Sequence, residues 1–550
     1  MTNEAKRRVR QSFIVGSLTS SAGVFLSKAI GLFYVVPFTA IATEDNMVFY
    51  NDAYTYYNVL LQICSAGLPF AIASIIAKYA GRDDYKTVLL VRKLSTFLLS
   101  AAGLVMALVF ALVSVPLSRS ALGPEATALD ITRMSVTFRI LSLALFFVPL
   151  LYSYRSFYQG FKDLKAYADS QVIEQFARVA ALLGMGSLAV YALKLDRIWS
   201  IYMAVLATSI GALTALAYYV HYDRRHIGPI RRAARAQKSA PMKGGDILKE
   251  LLAFGIPYLI VAFFGNSQAL INTQYFMPVT TGLGLDYEKA KIIKSIINLQ
   301  CDKLTSIPQV LGIGFSAGIV PYMTVALDKR DMNELHKYIR ECLDTVLYIG
   351  IPVCFCMLVL ARPIYYIMYG GRYLDLGEEC LMYSSMLGLC TTITPICSSM
   401  MMTLHLRKES IFYLGVGFAV KCITFYPLIR YTGYTGSITS SILCSATIIY
   451  LCLAKIKNKF DVEYAATGKR MLKMILCCIC MNGIFAIFRL LGFGFSETSR
   501  TTALLQLAAY GLAGMIVYFY TTSLMKIPQA IFHMSFSEGI RKILGKGRRA

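Results

Sequence analysis

Long apolar stretches, each closed by a short polar or basic segment, recur along the whole chain. Each is close to the roughly 20 residues a helix needs to cross a hydrocarbon core. The pattern predicts about fourteen transmembrane helices. The first six are Gln11–Ala42, Ala53–Tyr79, Val88–Val115, Met134–Tyr152, Gln171–Leu193 and Ile198–Val220. The next six are Leu251–Met277, Ile297–Leu327, Cys342–Leu360, Leu381–Leu404, Ile411–Ile429 and Gly436–Leu453. Met471–Phe488 and Ala503–Leu524 complete the set. The apolar run that opens the chain is too long for a signal-peptide core and contains Lys28, so it reads as a retained first span.

The polar positions between the spans are asymmetric. Of 55 Lys and Arg residues, 37 fall at the N-terminus, in connections after even-numbered spans or the span ends beside them, or in the tail; 12 fall on the other side. This is the positive-inside pattern, and it predicts both termini in the cytoplasm. Composition fits: 56% of residues are apolar and 16% charged, against about 25% charged in soluble domains. The net charge of +24 does not point to nucleic acid, because no loop gathers it into a folded module. The largest connection, Tyr222–Glu250, carries Arg224, Arg225, Arg231, Arg232 and Arg235 and reads as a linker resting on anionic membrane lipids. Most of the 14 Cys lie in or beside apolar runs and behave as small hydrophobes. Cys477-Cys478-x-Cys480 has no His or second Cys pair at ligand spacing, so neither a metal nor another cofactor is expected.

The chain repeats itself. Pro69 and Pro321 end Ala-Gly-Leu-Pro and Gly-Ile-Val-Pro at an offset of 252; Pro149 and Pro395 are 246 apart, Arg178 and Lys421 243. The expected architecture is all-α, with two pseudo-symmetric six-helix lobes and two appended helices. Its segments are an N-lobe (1–221), a basic linker (222–250), a C-lobe (251–454), the appended spans (455–524) and a basic tail (525–550). Paired bundles with Pro-broken helices are a transporter pattern, with the substrate site near mid-membrane.

Charges inside spans narrow the cargo. A mid-bilayer charge costs about 2.5–3.5 kcal/mol, so it faces a cavity or a partner. Lys28 and Lys421 have no acid at helical spacing and are expected to line a cavity or to pair across helices, for instance with Asp52 or Glu174. Arg178 has Glu174 four residues earlier, which allows a pair on one face. Arg139 and Lys303 lie nearer span ends and can snorkel. These intramembrane candidates are cationic, which favours an anionic, phosphate-bearing cargo. Tyr50, Tyr54, Tyr56 and Tyr57, and Tyr152, Tyr154 and Tyr158, are expected mainly in interface belts.

Phe146-Phe-Val-Pro-Leu-Leu-Tyr-Ser-Tyr-Arg-Ser-Phe-Tyr-Gln-Gly160 and Ser170-Gln-Val-Ile-Glu-Gln-Phe-Ala-Arg178 resemble the stage V sporulation protein B family of polysaccharide exporters. Ser27-Lys-Ala-Ile-Gly31, Ala66-Gly-Leu-Pro-Phe-Ala-Ile72 and Ile319-Val-Pro321 also match its pattern. That family belongs to the multidrug/oligosaccharidyl-lipid/polysaccharide superfamily and is related to the lipid II flippases. The resemblance implies a flippase in the bacterial cytoplasmic membrane, with an undecaprenyl-pyrophosphate-linked saccharide as cargo and cell-wall synthesis machinery as neighbours. It also implies a cavity cation at Lys28, an acid at Asp52 and a lateral groove for the polyprenyl tail at the appended spans. Here Lys stands at 28 where the related flippases have Arg, and Tyr-Arg-Ser-Phe stands where the family usually has Arg-Gly-Tyr/Phe. The alternative is a drug or metabolite antiporter of the same superfamily. A glycosyltransferase is not expected: the five His have no acidic partner motif.

Overall fold

The computed structural model describes residues 34–532 apart from 66, 162, 310–322, 325, 328 and 498. Every regular element among the described residues is a helix. Nine helical stretches among them are long and apolar enough to cross a membrane; one, Arg407–Phe460, is two helices joined by a tight turn at Gly433–Thr435. In lipid a helix satisfies its own backbone, so this is the architecture the composition requires.

The chain divides into two compact units, Met1–Ser295 and Ile296–Ala550. The first contains α1 (Val35–Ala42), α2 (Glu44–Ser65), α3 (Leu68–Ala80), α4 (Tyr85–Leu112) and α5 (Ser114–Leu122). It continues with α6 (Ala128–Gly160), α7 (Leu164–Ser187), α8 (Ile198–Ala236), α9 (Gly244–Gly282) and α10 (Tyr287–Ser295). The single expected second span is two helices. Gly67 sits between them at φ 67°, a left-handed conformation that glycine adopts without strain, and Pro69 opens α3.

The second unit contains α11 (Met332–Val359), α12 (Ala361–Tyr369), α13 (Leu374–Thr403), α14 (Arg407–Thr432), α15 (Gly436–Phe460), α16 (Ala465–Leu490), α17 (Arg500–Leu524) and α18 (Ile527–Phe532). The series α4 to α8 recurs as α11 to α15. Both series open with a helix of 28 residues, followed by one of nine. Asp84 caps α4 by accepting from Thr87 N, and Asp331 caps α11 by accepting from Glu334 N. Gly123 and Gly370 end the short helices at φ 85° and 92°. Pro149 and Pro395 lie inside α6 and α13.

The expected linker, 222–250, is mostly helix. α8 runs on to Ala236, and α9 starts at Gly244. The short piece between is tied down. Gln237 Nε2 donates to Asp84 Oδ1 at 2.7 Å while its Oε1 accepts from Lys86 N at 2.9 Å. Met242 N donates to Thr87 Oγ1 at 3.0 Å, and Lys78 pairs with Glu250 at 2.8 Å. Burial opposes ionisation of Asp84, but the hydrogen bonds from Thr87 and Gln237 outweigh it and hold the carboxyl below the usual carboxylate range.

The appended helices pack on α11. Tyr348 and Ile351 of α11 share an apolar core with Cys477, Cys478, Met481 and Phe485 of α16 and with Tyr510 and Tyr518 of α17. Cys477 and Cys478 are therefore packing residues. Arg470 of α16 pairs with the buried Asp344 of α11. At the other end, Arg362 of α12 holds Asp375, Glu378 and Glu497 at 2.6–2.8 Å, joining α12, α13 and the α16–α17 loop.

Candidate functional site

Helix α2 begins well ahead of the expected Ala53, so Asp52 lies two turns inside it. Its partner comes from α10, a segment that hydropathy reads as a polar connection. The structure buries Ala290 through Ser295. Tyr287, Lys291 and Lys294 follow one another at four and three residues and so share a helix face. Lys294 Nζ lies 2.6 Å from Asp52 Oδ2, and both side chains are fully buried. The ammonium also donates to Thr273 O at 2.7 Å and Ala121 O at 3.3 Å, so α2, α9 and α5 supply one acceptor for each of its protons. Asp52 Oδ1 is buried with no hydrogen-bond partner among the described residues. Nearby, Asp130 of α6 takes Lys291 at 3.5 Å and the Tyr287 hydroxyl at 3.1 Å. Lys291 also reaches Glu288 at 3.1 Å and lies 5.6 Å from the centre of the Phe49 ring.

Desolvating a charge costs several kcal/mol per ion, so such a pair persists only while its partners stay in place. Asp52–Lys294 therefore depends on the packing of α2, α5, α9 and α10 together. A competing anion or a shift of α10 against α2 would release it.

A second charged group explains the α6–α7 motif. Arg155 Nε donates to Ser170 Oγ at 3.0 Å, and its Nη2 pairs with Glu174 Oε2 at 2.7 Å. Glu174 thus pairs across helices with Arg155 rather than along its own helix with Arg178. Phe161 N and Asp163 N both donate to Tyr158 O where α6 ends, and Asp163 accepts from Tyr222 of α8 at 2.6 Å. Gly211 of α8 lies against this face: a Cβ there would stand 2.8 Å from Glu174 O and 3.0 Å from Arg178 Cβ. Arg178 is half-buried, within electrostatic range of Tyr34, Tyr50 and Tyr54.

The tyrosines of α2 differ from the belt expectation. Tyr50, Tyr56 and Tyr57 are buried. Tyr50 and Tyr34 share a hydroxyl hydrogen bond at 2.9 Å, Tyr54 bonds Thr208, and Tyr56 donates to Gln274 Oε1. The unit is therefore lined with hydroxyls around α2, close to its buried charge pair.

Arg139 is exposed and donates through Nε to Ser114 Oγ at 3.0 Å, at the α4–α5 joint. In the second unit, Lys421 is fully buried between α14 and α15. Its Nζ donates to Ser437 O at 2.8 Å and to Ser440 Oγ and Ser441 Oγ at 2.7 Å each, 4.9 Å from the centre of the Phe425 ring. In this conformation all three of its donors are satisfied by the neighbouring helix. Lys303 is half-buried beside Asp302 and makes no ion pair among the described residues. Lys28 lies outside the described residues. The structure thus brings Asp52 together with a lysine the hydropathy reading placed outside the membrane, and Glu174 with an arginine that reading counted in a connection. The 287/291/294 spacing is the signal that points to Lys294.

Comparison with known proteins fits this architecture. A family described as "Polysaccharide biosynthesis protein" matches residues 14–298. Lipid II flippase MurJ of Bacillus subtilis (strain 168) is 23% identical over 511 residues, covering 92% of this chain and 94% of that protein. Stage V sporulation protein B of the same organism is 19% identical over 371 residues, 66% and 68% of the two chains. The solved lipid II flippase MurJ in an inward closed conformation has a TM-score of 0.66 at 15% identity, covering 92% of this chain and 99% of that one. An inward-facing multidrug resistance MATE family transporter of the MOP superfamily reaches 0.59 at 14% identity, covering 78% and 98%. A multi-span helical membrane protein with the transporter fold of that superfamily, matched over half its length, this chain belongs to the polysaccharide biosynthesis protein family.

Proposed function

We propose that the protein is a flippase that moves an undecaprenyl-pyrophosphate-linked saccharide, lipid II or a related cell-wall precursor, from the cytoplasmic to the outer leaflet by alternating access. Both termini lie in the cytoplasm, and no bond is made or broken. The observation that carries this reading is the buried Asp52–Lys294 pair. A pyrophosphate competes with the Asp52 carboxylate for the same ammonium. Cargo binding then changes the balance of charge at α2 and α10, and a ligand shifts a conformational equilibrium only through such a differential interaction. Arg178, with the hydroxyls of Tyr34, Tyr50 and Tyr54 in range, is a second polar contact for the headgroup. Lys28 and Lys303 are assigned as further cationic contacts, Arg139 as an interfacial anchor, and Lys421 and Glu174 as clasps that hold helix pairs.

The test is flipping of a fluorescent lipid-linked saccharide in proteoliposomes. Lys294→Gln is expected to lower the rate at least tenfold while the protein still elutes as a folded species. Wild-type flipping by Lys294→Gln, or cation-driven drug efflux without saccharide flipping in the wild type, overturns the assignment. The second outcome would favour the antiporter.

A further inference from the structure

The stretch of α8 beyond its membrane-crossing part is not used by the proposed function. The helix has 39 residues, about 58 Å at 1.5 Å per residue, against a hydrocarbon core of roughly 30 Å. Arg224, Arg225, Arg231, Arg232 and Arg235 in the excess are all exposed. At 100° per residue they fall within an arc of about 120°. Ile227 and Ala234, both buried, lie about 100° and 120° from the middle of that arc. None of the five arginines forms an ion pair among the described residues.

The position of this stripe is fixed at two points. Asp223 pairs with Arg92 of α4 at 2.6 Å and accepts from Tyr158. Gln237, just past the helix, bonds Asp84 and Lys86 at the α4 N-terminus. Between these ties α8 runs about 21 Å along its own axis, but the matching stretch of α4 covers only about 12 Å. These ties hold the extension beside the N-terminal end of α4. Both ties are made to the first turns of α4, a candidate span from Tyr85 to Leu112, so the stripe is anchored at the end of that candidate span.

We propose that the Arg224–Arg235 face is a binding surface for anionic phospholipid headgroups of the leaflet from which α8 emerges. Planar guanidiniums match phosphate oxygens, and a fixed row of them makes a surface that recognises charge density rather than one lipid. The proposal goes beyond the flippase reading and does not depend on it. Its test reads binding and not flipping.

Full-length wild type and the triple variant R224Q/R231Q/R235Q are reconstituted in phosphatidylcholine nanodiscs with and without phosphatidylglycerol, and retained lipids are counted by native mass spectrometry. The wild type is expected to retain phosphatidylglycerol over phosphatidylcholine. The triple variant is expected to lose that preference, by about fivefold per arginine at low salt, with unchanged thermal unfolding. An unchanged preference in the variant overturns the proposal. So does displacement of the lipid by inorganic phosphate, which would make this a site for free anions. A variant that keeps its lipid preference but no longer binds an acidic peptide would overturn it in favour of a protein partner.

Discussion

Lys294 of α10 donates to Asp52 of α2 across 2.6 Å, with both side chains shielded from solvent. Removing one member leaves a buried uncompensated charge, at about 3–5 kcal/mol. Asp52→Ala and Lys294→Met are each expected to lower thermal stability strongly. The double variant is expected to recover much of the loss and still fail to flip cargo. Differential scanning fluorimetry with a flipping assay separates the two effects; additive losses in the double variant would show that the pair is not coupled.

Lys421 presents the opposite case. Its three donors are satisfied within α14 and α15, so Lys421→Met, which keeps volume and drops the charge, is expected to cost less than about 2 kcal/mol. Lys421→Ala leaves a cavity and is expected to cost about 2–5 kcal/mol. If Lys421→Met unfolds as the wild type does but abolishes flipping, the clasp assignment is wrong and the lysine touches cargo.

Gly211→Ala drives a Cβ to 2.8 Å from Glu174 O. The backbone there cannot swing aside, so a loss of about 1–3 kcal/mol is expected. Unfolding of the variant by scanning fluorimetry checks it.

The Asp84 cap predicts a pH dependence. Its carboxyl titrates lower in the folded protein than in the unfolded chain, whose value is about 3.9. The stabilisation is therefore complete above about pH 4 and is lost as pH falls through the still lower folded value. Asp84→Ala is expected to cost about 1 kcal/mol at neutral pH, and the gap to wild type is expected to close below pH 4. A gap that persists in acid would assign the loss to packing.

The spans were legible in the sequence because crossing a membrane requires only length and apolar composition, and α4, α6 to α8, α11 and α13 to α17 stand within a turn or two of their expected positions at most ends, while the short α5 and α12 were not expected. The errors fall where polar residues are buried or a helix leaves the membrane. Residues 287–295 read as a loop because three lysines and a glutamate lower their hydropathy, yet pairing with Asp52 and Asp130 lets them fold inside. Residues 222–236 read as a linker because a helix in headgroups and water needs no apolar run. Partner choice was the least legible feature. A local spacing rule offers Arg178 to Glu174, and nothing local says that α6 delivers Arg155 instead. Of the three offsets that pointed to a repeat, the Pro149/Pro395 one falls inside the paired α6 and α13, which the matching caps and short helices accompany; Pro321 lies outside the described residues.

The unit boundary at Ser295 does not coincide with the lobe boundary expected in the 222–250 connection. α9, which follows that connection, and the short α10 complete the core of the first unit. A chain cut between Gln237 and Lys243 would strand Asp52 in one fragment and its counter-ion in the other, so neither piece would be electrically balanced alone. During synthesis the Asp52–Lys294 pair cannot form until residue 294 has been made, so the first unit closes only when its last helix is complete.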